Sequence, residues 1–380
     1  MARPSTAVSE VVLGFQKHPK GKSSGIAGLR HFRLPWDRPG KRSSGLCSQS
    51  RATIAPMGEF DLIARYFTRP VQRAALGIGD DCALLAPAPG MQLAVSCDML
   101  VEGRHFFAGT DPERLGHKAL AVNLSDLAAC GARPLAFTLA LSLPSVQEPW
   151  LAGFSRGLLR LADAHGCELV GGDTTQGPLN ICITVFGEVP AGQALLRSGA
   201  QPGDDIYVSG TLGDARLALE ALQGRIALAP EVLAAARLRL EAPTPRVALG
   251  LALRGLASSA LDVSDGLLGD FGHILRASGV GACIDTSITL KLIAASAYPI
   301  SAGGLFDANY LQQCTLAGGD DYELAFTAAP ARRGAVAAAA QASSTPVTRI
   351  GVVEAAPGLR LVDAQGRPVA QRYASFDHFA

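Results

Sequence analysis

Leu93-Ala94-Val95-Ser96-Cys97, then Leu115 to Cys130, then Phe137-Thr138-Leu139-Ala140-Leu141 are the stretches that decide the fold. The first and third are short runs of β-forming residues. The second has helical length and is stopped by Gly131 and then Pro134, so the order is strand, helix, strand. Working toward the C-terminus, Trp150 to His165 reads as a second helix ended by Gly166. Glu168-Leu169-Val170 and Ile181 to Phe186 read as further strands. A Pro- and Gly-rich break falls between Pro190 and Gly203. The same mixture then returns: strand Asp205–Ser209, helix Ala215–Leu222, strand Leu261–Val263, helix Leu267–Ala277 and strand Tyr322–Thr327. Alternation of this kind specifies α/β or α+β layers, and the break predicts two domains, 57–195 and 196–380.

Working toward the N-terminus, helical spacing begins only after Met57, with Phe60, Leu62, Ile63, Tyr66 and Phe67. Residues 1–56 show no sustained period. They hold ten Lys/Arg against Glu10 and Asp37, a charge of +8. Of 34 basic and 33 acidic residues the remainder therefore holds 24 and 31, so a −7 body hides behind a net charge of +1. Three readings of the basic segment stay open: a start placed upstream of Met57, a transit-like peptide, and a functional basic arm. The first is the expectation, with the segment disordered.

Composition excludes several classes. An apolar fraction of 48% is enough for real cores. No stretch of about 18 apolar residues is present, so no membrane partner is expected. An acidic body argues against nucleic acid, which needs clustered Lys and Arg. The eight cysteines form no C-x-x-C and no zinc spacing with His, which predicts buried thiols in a reducing cytoplasm.

One local pattern recurs. Aspartates sit beside Gly or Ser where apolar runs stop: Gly79-Asp80-Asp81, Ser96-Cys97-Asp98, Ser125-Asp126, Gly171-Gly172-Asp173-Thr174-Thr175, Asp262-Val263-Ser264-Asp265-Gly266 and Gly318-Gly319-Asp320-Asp321. Each alone reads more readily as a turn. Asp126 also reads as a late-helix carboxylate, and Asp265 as the cap of the helix starting near Leu267. Paired carboxylates repel unless a cation joins them, and few Lys or Arg lie beside these in sequence. Six such clusters at expected strand ends, where ligands collect in open α/β sheets, point to Mg²⁺ ions bridging carboxylates to phosphates. The usual nucleotide motifs are missing. Gly21-Lys22-Ser23 lacks the first glycine of a P-loop, since position 16 is Gln, and Asp270-Phe271-Gly272 stands without a kinase H-R-D. No G-x-S-x-G elbow occurs.

In order, Gly-Glu-Phe-Asp-Leu-Ile-Ala-Arg (58–65), Gly-Ile-Gly-Asp-Asp-Cys-Ala (77–83), Asn-Leu-Ser-Asp-Leu-Ala-Ala (123–129), Gly-Gly-Asp-Thr-Thr (171–175), Arg-Ser-Gly-Ala (197–200), Asp-Val-Ser-Asp-Gly (262–266) and Gly-Gly-Asp-Asp-Tyr-Glu-Leu (318–324) resemble the thiamine-monophosphate kinases. The resemblance covers 57–380 and none of 1–56. It implies the two-domain fold of the aminoimidazole ribonucleotide synthetase superfamily, a homodimer built through the N-terminal sheet, and ATP- and Mg²⁺-dependent conversion of thiamine phosphate to thiamine diphosphate. Metal ligands of the family match Asp81, Ser96, Asp98, Asp126, Asp173, Asp262 and Asp265. Nucleotide contacts match Gly172, Asp173, Arg197 and Ser264. Substrate contacts match His105, Asp320 and Phe376. Cys97 stands where a Thr is common, Asp320 where Glu is more frequent, and Phe376 where Trp or Tyr is usual.

Without the resemblance, Arg197 reads as a surface arginine, His105 as a satisfied loop histidine and Phe376 as a core aromatic. Two rival functions remain. Hydrogenase-maturation and selenophosphate-forming ATPases of the same superfamily use a catalytic cysteine, but this chain ends Ser375-Phe376-Asp377-His378-Phe379-Ala380, and Cys47 lies outside the matched region. A non-catalytic binding protein for thiamine phosphates would not need every carboxylate, yet all are present.

Overall fold

Two mixed sheets with helices packed on them make up the computed structural model, which describes residues 57–294, 308–370 and Tyr373. Residues 1–56 and Phe376 lie outside the described residues. The first half contains α1 (Glu59–Tyr66), β1 (Met91–Val101), α2 (Pro112–Ala129), β2 (Arg133–Leu143), α3 (Glu148–His165), β3 (Glu168–Gln176) and β4 (Asn180–Pro190). Its strands lie in the order β1-β4-β2-β3; only β2 and β3 run parallel.

The second half follows after Pro190. It contains β5 (Asp205–Ser209), α4 (Asp214–Leu222), α5 (Pro230–Glu241), α6 (Val247–Ala252), β6 (Ser259–Val263) and α7 (Leu267–Ser278). Then come β7 (Gly281–Asp285), α8 (Thr286–Thr289), α9 (Ala308–Ala317), β8 (Glu323–Ala328), α10 (Arg333–Ala342), β9 (Val347–Glu354) and β10 (Gly358–Val362). These six strands are ordered β10-β7-β9-β5-β8-β6.

Helix α2 is the pivot. Asp111 caps it by accepting from Arg114 N–H at 3.0 Å, and Pro112 begins it, where a missing N–H costs nothing. Most of its residues from Leu115 to Ala128 are buried, because it is packed on several sides. One neighbour is α3, approached so closely that a Cβ at Gly116 would overlap the Phe154 carbonyl oxygen. Another is α6, where a Cβ at Gly250 would overlap the Ala128 carbonyl. The same core cluster runs from α2 through Leu139, Ile181 and Ile183 of the first sheet to Leu324 and Phe326 of the second.

Register assigns the two faces of the first sheet. Asp98, Ile183, Leu139 and Gly172 align across the four strands; one residue on, Met99, Cys182, Ala140 and Asp173 align. Ile183 and Leu139 are buried, so the first row belongs to the face covered by α2. The second row belongs to the opposite face. There the segment around Val71, Ala74 and Leu85 packs on Ala136, Val170 and Phe186, while Leu93, Val95 and Met99 of β1 stay 43%, 57% and 52% exposed.

The sequence expectation for the clusters needs correction here. Asp98 and Asp173 stand inside β1 and β3, not at strand ends, and Asp126 lies in the last turn of α2. Edge strands that continue past a polar residue look, in sequence, as though they have stopped. Tyr322 likewise precedes its strand rather than opening it. The thiols differ from expectation too. The described cysteines are free, but Cys82 and Cys97 are exposed, and the Cys97 and Cys182 sulfurs sit 3.5 Å apart on neighbouring strands.

Candidate active site

A cleft of about 350 Å³ lies where α2 and β1 meet the loops of the second half. Asp98 enters it from β1, Asp126 from α2, Asp262 from the end of β6, and Ser264 and Asp265 from the loop that follows. Ser96, two residues before Asp98 on the same face, donates its hydroxyl to Asp126. Ser125 donates to Asp262 at 2.7 Å. The Asp98 N–H donates to the Asn123 side chain at 3.1 Å, tying β1 to α2.

These carboxylates crowd one another. Burial, then the charges of Asp126 and Asp265, push Asp98 up to about 6. Asp262 is pushed up to about 8 by burial first and next by Asp126, against the Ser125 hydrogen bond. Burial raises Asp126 as well, opposed by the Ser96 hydroxyl and by the charge of Arg197. A cluster that resists ionisation to this degree lacks positive charge.

The Ser264-Asp265-Gly266 turn is held by a residue the sequence reading passed over. Asp270, in the first turn of α7, accepts from the backbone N–H of Ser264 and Asp265 at 2.9 Å each and of Gly266 at 3.1 Å. Asp265 therefore does not cap α7. The N-cap is Gly266, at φ 115° where a side chain would be strained, so the Asp265 carboxylate is released toward the cleft. An Asp four residues beyond Gly266 was the signal that could have found this.

The opposite wall carries His105 and Asp320. Val101 N–H donates to His105 Nδ1 at 3.0 Å, which puts the proton of the neutral ring on Nε2. Asp320 sits at φ 66° and Tyr322 at φ 51°. Such conformations are rare for residues with side chains and are found where surrounding structure imposes them. Here Asp320 N–H donates to Ser264 O and Tyr322 N–H to Val263 O, both at 2.8 Å. Asp321 accepts from Gly213 N–H with both oxygens at 3.0 Å, and fully buried Glu323 binds Arg239 at 2.6 Å and Arg246 at 2.5 Å. Few cations lie beside these clusters in sequence, but distant ones do reach the last of them. Lys118 of α2, 3% exposed, pairs with Asp320 at 2.7 Å. In sequence it passes for one polar residue in an apolar helix.

Asp81, Gly172 and Asp173 do not join this cleft. They line a second cavity of about 1050 Å³, with Asp80, Thr174, Phe186 and residues of α1; of its strand residues Asp173 belongs to the row that faces away from α2. Gly172, at φ 146°, has no room for a Cβ against the Leu139 carbonyl, so its glycine serves the close approach of β3 to β2. Three strand spacings separate Asp98 from Asp173, which at the usual spacing of neighbouring strands is roughly 14 Å. Among the described residues no three His, Cys, Asp or Glu side chains gather closely enough to hold a metal ion by themselves.

Comparison with known proteins settles the lineage. Residues 79–189 match the model for AIR synthase related protein, N-terminal domain, and 201–364 the corresponding C-terminal domain. The thiamine-monophosphate kinase of Salmonella typhimurium is 47% identical over 329 residues, 85% of this chain and 98% of that protein. The Escherichia coli K12 enzyme of the same name is 46% identical over 328 residues, with the same coverage. The chain belongs to the thiamine-monophosphate kinase family. A crystal structure of the kinase from Stenotrophomonas maltophilia superposes with a TM-score of 0.69 at 47% identity, covering 81% of this chain and 95% of that one. AaThiL complexed with AMPPCP and TMP gives 0.66 at 30% identity, covering 77% and 89%. Escherichia coli HypE, a hydrogenase maturation protein, superposes at 0.65 with 22% identity, covering 84% and 97%, a likeness of fold alone. Thiamine-monophosphate kinases thus share with this chain the two-domain fold expected from its sequence.

Proposed function

We propose that the protein transfers the terminal phosphate of ATP to thiamine phosphate, giving thiamine diphosphate by direct in-line transfer. The observation that carries this reading is the cleft itself: four crowded carboxylates share it with buried Lys118 and its half-buried partner Asp320, in a chain of the thiamine-monophosphate kinase family.

The donor set suits Mg²⁺. Its ligands are hard oxygens short of positive charge. Mg²⁺ takes only one or two protein carboxylates while keeping waters and phosphate oxygens, so no ready-made cage is required. Asp98, Asp126, Asp262, Asp265 and Ser96 would hold it on one side of the sheet, Asp81 and Asp173 on the other. When bound, it neutralises the two phosphate chains and fixes their alignment.

The chain's own residues do the rest. The attacking group is a phosphate oxygen whose second pKa is about 6, already ionised at neutral pH, so no general base is needed. Arg197 is exposed and outside the residues that line the cleft, but its charge acts on Asp126, and it would stabilise charge on the nucleotide phosphates. The Ser264 turn, fixed by Asp270, serves the same nucleotide. His105, whose Nδ1 accepts from Val101, would contact the substrate, and Asp320 would face the cationic ring system. Phe376 would stack on it.

The working unit proposed is a homodimer built on the uncovered face of β1, with domains 57–195 and 196–380 in each copy. Exposed Leu93, Val95 and Met99 support a second copy as its occupant. So does the split of the acidic residues: a partner is what can bring an Asp81/Asp173 group to an Asp98/Asp126 group. A cytoplasmic setting is proposed from the cysteine usage.

The test is product analysis after incubation with Mg-ATP and thiamine phosphate, with thiamine as the control acceptor. Thiamine diphosphate and ADP in equal amounts support the reading; ADP without thiamine diphosphate contradicts it.

A further inference from the structure

Lys118 is a charged group buried where burial is costly unless the charge is used. Its ammonium carries three protons. Among the described residues it has two acceptors: Asp320 Oδ1 at 2.7 Å and the His105 carbonyl at the long distance of 3.4 Å. Asp320 is equally incomplete. Its Oδ1 also accepts from Tyr322 OH at 3.3 Å, while Oδ2 accepts from no described residue. The pair joins α2 to the loop before β8, and both members line the cleft beside Phe106, Leu115 and Leu240. The backbone at Asp320 is held in its unusual conformation by the bond to Ser264 O, which anchors the residue at the cleft while its side-chain torsions stay free to turn from Lys118 to a ligand.

We propose that Lys118 reads the phosphate of the acceptor substrate, and that the zwitterionic substrate inserts between Lys118 and Asp320, its phosphate taking the ammonium and its cationic ring taking the carboxylate. This rests on the assignment of the cleft to thiamine phosphate. An ammonium is a compact point charge suited to a phosphate of variable orientation. Of the other cations lining the cleft, Arg216 binds Glu220 at 2.5 Å, and Arg104 is exposed where Lys118 is buried. The exchange also explains selectivity. Thiamine offers the positive ring but no anion, so its entry would strip Lys118 of Asp320 and leave a buried ammonium unpaired. A site that holds a buried charge for one substrate group rejects the analogue that lacks it.

The experiment measures calorimetric affinities of the full chain for thiamine phosphate and for thiamine, in wild type, Lys118→Gln, Lys118→Arg and Asp320→Asn. In Lys118→Gln the preference for thiamine phosphate over thiamine falls at least tenfold, and the KM for thiamine phosphate rises while that for ATP stays within twofold. Lys118→Arg recovers most of the preference. Asp320→Asn weakens both ligands by a similar factor, because the ring is common to both; this ratio stands independently if Lys118→Gln does not fold. An unchanged ratio in folded Lys118→Gln, or a ratio in Asp320→Asn altered more than threefold, overturns the inference while an active wild type leaves the function intact. A wild type that does not convert thiamine phosphate overturns both.

Discussion

Asp98 and Asp173 lie on opposite faces and at opposite edges of the same four-stranded sheet. Both are proposed metal ligands, and no single ion within one chain can touch both. If a second copy on the β1 face completes the site, two inactive variants mixed under conditions that exchange subunits must complement. Asp126→Asn and Asp173→Asn are each expected to lose nearly all turnover with folding retained. Their mixture is expected to recover up to about a quarter of wild-type activity, since half the dimers are mixed and each carries one intact site. No recovery, with exchange verified by mass, would place all the ligands in one chain.

Asp270 is a positioning residue for the Ser264-Asp265-Gly266 turn. Asp270→Ala leaves three N–H groups without their acceptor, and stability should fall by about 1–3 kcal/mol. Turnover should drop more than the affinity for thiamine phosphate, because the turn serves the nucleotide side. Thermal melts together with kinetics on both substrates check this; a variant with wild-type kcat would remove the turn from the mechanism.

Acid stability should depend on Asp205. This buried carboxylate is held below its usual value by the hydrogen bond from Arg333 first, with Arg349 adding to it. Because the folded value lies below the unfolded 3.8, the stabilisation is fully present above that pH and is lost as pH falls through the lowered folded value. Asp205→Asn should therefore melt lower than wild type at pH 7, and the gap should close as the pH drops below 4. A gap that is constant with pH would contradict the assignment.

Residues 57–380 alone are expected to carry full activity, since the family match begins at residue 79 and the resemblance in sequence at residue 58. Side-by-side kinetics of the full chain and Met57–Ala380 would show equal kcat and KM. A loss beyond threefold would give the basic segment a role.

The strand, helix, strand order around α2 was legible because runs of β-forming residues at 93–97 and 137–141 flank a stretch of helical length ended by Gly131, although both strands extend beyond those runs and Pro134 falls inside β2. β7 begins with Gly281 and holds one β-branched residue in five, and β10 begins with Gly358 and carries Arg360 mid-strand, so neither stands out as equally short β5 does with Ile206, Tyr207 and Val208; α10 is mostly alanine, which carries no marked apolar stripe. At the site, Asp98, Asp126, Asp262 and Asp265 were recognisable as residues and do converge. Which face each one takes was not legible, because facing depends on register, and a shift of one residue reverses it. Asp173 was separated from Asp98 for that reason, whereas Asp81 lies in the loop before β1. Lys118 escaped because its meaning comes from Asp320, 202 positions away in the chain.

One measurement reaches the phosphate transfer directly: phosphorus-31 NMR of the protein with thiamine phosphate, ATP and Mg²⁺. The expected spectrum shows the thiamine phosphate resonance replaced by the two resonances of thiamine diphosphate, with one ADP formed for each and no product from thiamine. ATP consumed while the thiamine phosphate resonance persists, or thiamine accepted as readily, would contradict it.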